Sequence, residues 1–88
     1  MYFNLTTEMQ KKIKLAKLNN AQSELYDELV KTLIRQQYKA DKVEAIINNY
    51  LDEPNVKHSA EFQELQAYRK ECKAYAKEIL GLEVENND

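Results

Sequence analysis

The sequence contains one glycine, one proline, one cysteine and no tryptophan. Glycine and proline form most turns, so their shortage argues against a fold with several β-strands. A lone cysteine cannot form an intrachain disulfide, and nothing points to an oxidising compartment. No apolar run is long enough to cross a membrane, and "MYFNLTTEMQ" lacks the charged start and apolar middle of a signal peptide. We therefore expect a cytoplasmic protein that has no contact with a membrane.

The rest of the composition favours α-helices. Lys, Glu, Leu, Ala and Gln are frequent, and the chain is 43 % hydrophobic and 32 % charged. This balance is typical of a small helical protein with a true core. A chain of 88 residues is too short for two cores, so we predict one domain over residues 1–82. Lys far outnumbers Arg, which suggests the AT-rich gene of a low-GC bacterium or its phage.

The spacing of apolar residues predicts an all-α fold, a small antiparallel bundle of four helices. Within each segment these residues recur at three- and four-residue steps, which places them on one helix face. The last residues, "EVENND", carry too little apolar surface to offset the entropy lost on ordering, so we predict a flexible acidic tail over 83–88. The predicted helices span about residues 6–19, 23–38, 42–52 and 59–80.

Capping residues predict where these helices begin and end. Ser, Thr, Asn and Asp side chains accept hydrogen bonds from the unpaired N–H groups of a first helical turn, whereas Asn and Gly adopt the left-handed conformation that ends a helix. Pro54 interrupts the apolar pattern, so the fourth helix begins at Pro54 or, preferably, after Ser59. The predicted caps are Thr6 or Thr7, Asn19 or Asn20, Ser23, Asp41 with Glu44 in a capping box, and Gly81.

The predicted fourth helix carries an apolar stripe whose partner the sequence leaves open. At about 1.5 Å per residue this helix is roughly 33 Å long and the third roughly 16 Å, so its C-terminal half must lie on the first two helices or on a second molecule. Its heptad pattern covers only about three repeats. An internal stripe is the preferred interpretation, and a helix-mediated homodimer is the alternative. The candidate interface comprises Leu65, Tyr68, Cys72, Tyr75, Ile79 and Leu82.

Catalytic and metal-binding patterns are not visible in the sequence. His58 and Cys72, the lone histidine and the lone cysteine, would stand roughly 21 Å apart along one helix, too far for a nucleophile and its base. One His and one Cys cannot build a structural zinc site, and no glycine-rich loop is present to hold phosphate. We therefore predict that the protein is not an enzyme and uses no cofactor or metal.

Nucleic acid is the competing partner. The second and third predicted helices outline a helix-turn-helix, but the outward side chains of the third carry more anions than cations, and phosphate attraction supplies most of the affinity for DNA. The first helix is more suitable, because its lysines lie mostly away from its apolar stripe. The candidate contacts to phosphate, or to an acidic protein, are Lys11, Lys12, Lys14 and Lys17.

The sequence as a whole favours a non-enzymatic protein–protein interaction module. Such a module would act as an adaptor, inhibitor or regulator by binding itself or a larger assembly. The fourth helix is the predicted contact surface. A regulator that contacts nucleic acid through the lysines of the first helix is the alternative.

Overall fold

The computed structural model describes residues 3–83, and this part of the chain contains four helices and no strand. The all-α prediction is confirmed, and each predicted helix corresponds to one observed helix. The antiparallel arrangement stays a prediction, and the predicted acidic tail lies outside the described residues apart from Glu83. The helices are α1 (Thr7–Leu18), α2 (Gln22–Arg35), α3 (Ala40–Asp52) and α4 (Val56–Leu80).

Three of the predicted caps are confirmed. The Thr6 hydroxyl accepts a hydrogen bond of 3.1 Å from the backbone N–H of Met9 and so begins α1. Asn20 has a φ of 54° in the turn that follows α1. Gly81 ends α4 with a φ of 73°, a backbone conformation that glycine adopts without a steric cost.

The predicted N-terminal caps of α2 and α3 are wrong, and α4 begins before its preferred predicted position. α2 follows Ala21, whose N–H bonds the carbonyl of Ala16 at 2.7 Å, so the turn runs directly into the helix and needs no capping side chain. α3 follows Lys39, which places the predicted cap Asp41 inside the first turn. α4 begins at Val56, between the two predicted positions at Pro54 and after Ser59, because Asn55 is extended and its side chain accepts the N–H of His58.

The long helix α4 is the element on which the others are arranged. α2 and α3 both pack on α4, and α1 packs on α2. Lys77, in the last turn of α4, lies 6.0 Å from the ring centre of Tyr26 on α2. At the other end, the rings of Tyr50 and Phe62 stack with centres 4.1 Å apart. The described chain is therefore elongated, with a longest extent of 47 Å.

The main core lies where α1, α2 and the C-terminal half of α4 meet. Phe3, which precedes α1, closes this core, with its ring centre 4.7 Å from that of Tyr75. Ile46 and Leu65 are buried outside this cluster, on the two helices that form the other half of the molecule. The residues of the main core are Phe3, Met9, Ile13, Leu29, Val30, Leu33, Tyr68, Cys72, Ala76 and Leu80.

Candidate interaction surfaces

The apolar stripe of α4 contacts the protein's own helices. Leu65, Tyr68 and Cys72 are buried within the chain, and Tyr75, Ile79 and Leu82 are half-buried against the main core. This is the internal arrangement that the sequence favoured. A second molecule could reach the three buried side chains only if the bundle opened.

Tyr68 and Cys72 lie one turn apart at the centre of this stripe. The Tyr68 hydroxyl donates to the carbonyl of Leu33 at 2.8 Å, and its ring centre lies 5.6 Å from that of Tyr38. Burial raises the pKa of Tyr68 to about 12. Burial also raises the pKa of the Cys72 thiol, which disfavours the reactive thiolate. Both groups therefore behave as parts of the core.

His58 lies in the first turn of α4. Its Nδ1 lies 2.6 Å from the carbonyl oxygen of Glu53, to which a protonated Nδ1 donates, and its own N–H donates to the Asn55 side chain. Cys72 is fourteen residues further along α4, or roughly 21 Å at about 1.5 Å per residue. Within residues 3–83 no three His, Cys, Asp or Glu side chains are grouped so that they could hold a metal ion.

The outward side of α1 combines leucines with lysines. Leu15 is 58 % exposed and Leu18 is 72 % exposed, although both belong to a helix that packs on the bundle. At about 100° per residue they point away from the buried side chains of Met9, Ile13 and Ala16. Two exposed lysines share this side of the helix. We call Lys11, Lys14, Leu15 and Leu18 the basic leucine face.

The four lysines predicted as contacts differ in their surroundings. Lys12 forms an ion pair of 2.9 Å with Glu28 on α2, and this hydrogen bond raises the pKa of Lys12. Lys11, Lys14 and Lys17 are exposed and, among the described residues, have no ion-pair partner. Three of the four lysines are thus available to an external partner.

The turn between α3 and α4 exposes a second pair of large apolar side chains. Leu51 is 69 % exposed and Val56 is 89 % exposed. The carboxylates of Asp52 and Glu53 stand between them in sequence and are exposed as well, with Lys57 as a neighbouring cation. We call Leu51, Asp52, Glu53 and Val56 the acidic corner.

These two surfaces lie toward opposite ends of the molecule. Val56 is the first residue of α4, so the acidic corner stands at the N-terminal end of that helix. The contact between Lys77 and Tyr26 places the beginning of α2 beside the last turn of α4. Leu18, which stands one short turn before α2, is therefore at that second end.

α2 and α3 do not form the compact helix-turn-helix pair that the sequence outlined, because α3 packs mainly on α4. The outward side chains expected for α3 are exposed, and anions outnumber cations among them. These residues are Lys42, Glu44, Asn48, Asn49, Asp52 and Glu53.

Comparisons with protein-family models, with curated proteins and with solved structures find no match. Among the described helices, none is both long and apolar enough to cross a membrane. The sequence reasoning missed the exposed leucines of α1, although a helical wheel of residues 6–19 places both opposite the apolar stripe. It also missed Val56, because the predicted fourth helix began three residues too late.

Proposed function

We propose that this protein is a non-enzymatic protein–protein interaction module that self-associates head to tail. In this arrangement the basic leucine face of one copy contacts the acidic corner of the next copy. The observation that carries the proposal is the exposure of Leu18, which is 72 % accessible on a helix whose other side is packed. Such a module could organise a larger assembly as an adaptor or regulator.

The composition of the two surfaces supports this pairing. Each presents two exposed apolar side chains, and complete burial of one leucine or valine contributes about 1.5–3 kcal/mol. The apolar residues are accompanied by lysines on one surface and by carboxylates on the other, so the electric potentials are complementary. Pairing the basic leucine face with itself would oppose Lys11 and Lys14 to identical cations.

Because the two surfaces differ, the contact is heterologous. A contact of this kind closes into a ring if the rotation between copies permits, and otherwise forms an open chain. Self-association was expected through α4, but the apolar stripe of that helix already contacts its own chain. We therefore assign self-association to the exposed apolar residues of α1 and of the acidic corner instead of α4.

The test is the absolute mass in solution, measured by light scattering behind a sizing column over a wide concentration range. We expect the mass to rise with concentration, and Leu15→Gln with Leu18→Gln to lower the mass while the chain stays folded. Lys11→Glu with Lys14→Glu should also lower the mass, and Asp52→Lys with Glu53→Lys in the same chain should restore it. Lys73→Glu, an exposed charge reversal on α4 outside both surfaces, is the control. A wild-type monomer at every concentration would refute self-association.

Nucleic acid binding is the second candidate, and the exposed lysines of α1 favour it. Lys11, Lys14 and Lys17 are exposed and could neutralise phosphates. Phosphate contact does not explain the exposed leucines, so we rank it below the protein partner. If it is correct, affinity for duplex DNA should fall steeply with salt, and Lys14→Glu with Lys17→Glu should abolish binding.

A further inference from the structure

A narrow groove of about 200 Å³ lies where α2, α3 and α4 meet. Its floor is apolar and half-buried, and consists of Ile34, Tyr38 and Val43. The ring of Tyr38 contacts that of Tyr68 in the core, with centres 5.6 Å apart, so this part of the floor is held in place. The rim carries three cations, Lys31, Arg35 and Arg69.

The electrostatics of the groove favour an anion. No carboxylate lines it, and within residues 3–83 none of the three rim cations has an ion pair or a side-chain hydrogen bond. α3 also begins here, at Ala40, without a capping side chain, so the N–H groups of its first turn add partial positive charge. Lys12, by contrast, is already paired with Glu28.

The size of the groove indicates what can occupy it. Small-molecule pockets usually enclose about 300–1,000 Å³, so this groove suits a single apolar side chain better than a whole ligand. An apolar floor inside a cationic rim therefore fits a chain segment in which one apolar residue stands between carboxylates. The C-terminal residues "EVENND" have this pattern, with Val84 between Glu83 and Glu85.

We propose that the groove binds the C-terminal segment of a neighbouring copy, with Val84 on the apolar floor and its flanking carboxylates on the cationic rim. A neighbouring copy is assigned this role because, within one chain, the backbone of Val84 does not come level with Arg69. Twelve residues of α4 separate Arg69 from Gly81, which is roughly 18 Å at about 1.5 Å per residue. Three residues from Gly81 to Val84 span at most about 11 Å.

This contact goes beyond the proposed head-to-tail contact and shares no residue with the basic leucine face or the acidic corner. Each chain would then have a second site for a neighbour.

The test uses a fluorescent peptide of residues 80–88 and the full chain, with anisotropy as the readout. We expect saturable binding that Arg35→Glu with Arg69→Glu weakens at least about tenfold, as charge reversal does at a complementary interface. A peptide carrying Glu83→Lys and Glu85→Lys should bind this double variant better than the wild-type chain. A peptide carrying Val84→Asn should bind the wild-type chain more weakly.

Two controls keep the interpretation clear. Lys17→Glu with Lys57→Glu makes the same change in net charge at exposed positions outside the groove and should leave peptide binding unchanged. Lys31→Glu, also exposed, serves as a second rim variant if the arginine variant loses its helical circular dichroism.

The outcomes separate this proposal from the head-to-tail contact. Absence of peptide binding at millimolar concentration, or binding that the rim variants leave unchanged, would overturn the groove proposal. If the groove proposal fails in this way, loss of self-association in Leu15→Gln with Leu18→Gln would still support the head-to-tail contact. Peptide binding by a chain that shows no effect of these leucine substitutions would support the groove and refute the head-to-tail contact.

Discussion

The hydroxyl of Tyr68 donates a hydrogen bond of 2.8 Å to the backbone carbonyl of Leu33, which joins α4 to the last turn of α2. This bond gives the buried hydroxyl of Tyr68 an acceptor at the end of α2. Tyr68 is only 5 % exposed. A tyrosine at this position can thus be part of the core without leaving a polar atom unpaired.

Tyr68→Phe is expected to lower the free energy of unfolding by about 0.5–1.5 kcal/mol, the usual net contribution of one hydrogen bond. The cost stays moderate because the Leu33 carbonyl also accepts the N–H of Gln36 at 3.2 Å. Urea unfolding followed by circular dichroism measures the change. Tyr50→Phe is the matched control, since its hydroxyl has no hydrogen bond to the described residues and its ring can still stack on Phe62. Equal effects of the two substitutions would contradict the assigned role of the bond.

Stability should fall at alkaline pH. Burial raises the pKa of Tyr68 from 10.0 to about 12, and burial raises the pKa of Cys72 as well. A pKa that is higher in the folded state stabilises the fold fully below the unfolded pKa, and this contribution is lost as pH rises through the folded value. The free energy of unfolding should therefore decline between pH 10.0 and about 12 for the wild type, and less steeply for Tyr68→Phe. Parallel pH profiles of the two proteins would refute this assignment.

The thiol of Cys72 should be protected in the folded protein. It has no exposed surface, and burial raises its pKa, so both access and thiolate formation are disfavoured. A thiol reagent at neutral pH should modify it slowly in buffer and rapidly in concentrated urea. Cys72→Ala with Ser23→Cys moves the lone thiol to an exposed position and should react at once in both conditions. Fast modification of folded wild type would show that the core opens often.

The helices could be predicted because their signals are local. Thr6, Asn20 and Gly81 act through their own backbone neighbourhood, and each lies where the apolar pattern changes phase. Asn55 was missed because Pro54 reads as a break, although a proline just before a cap is compatible with the beginning of a helix. Lys39 and Ala21 begin their helices without any capping side chain, so no sequence signal marks those residues.

The surfaces were harder to predict. An apolar stripe shows that one side of a helix is buried, but it does not show whether the same chain or a second molecule buries it. The spacing of Tyr68 and Cys72 was compatible with a dimer interface and with an internal core. The hydrogen bond from Tyr68 to Leu33 on α2 indicates the internal core. The cationic groove joins Arg69 to Lys31 and Arg35 across two helices that are distant in sequence. The periodicity of one segment does not show which residues of other helices lie beside it.

Asn55 caps α4 beside the acidic corner. Its side-chain oxygen accepts the N–H of His58 at 2.8 Å, and this bond begins the helix on which the rest of the fold packs. Asn55→Ala should therefore destabilise the protein by about 1 kcal/mol, the typical cost of losing such a cap. Asn49→Ala, an exposed change inside α3, is the control and should be neutral or slightly stabilising, because alanine is the better helix former. Because Val56 directly follows this cap, Asn55→Ala should weaken self-association as well. Asn55→Asp, which retains the capping oxygen, should preserve stability, and a loss of stability in that variant would contradict the capping role.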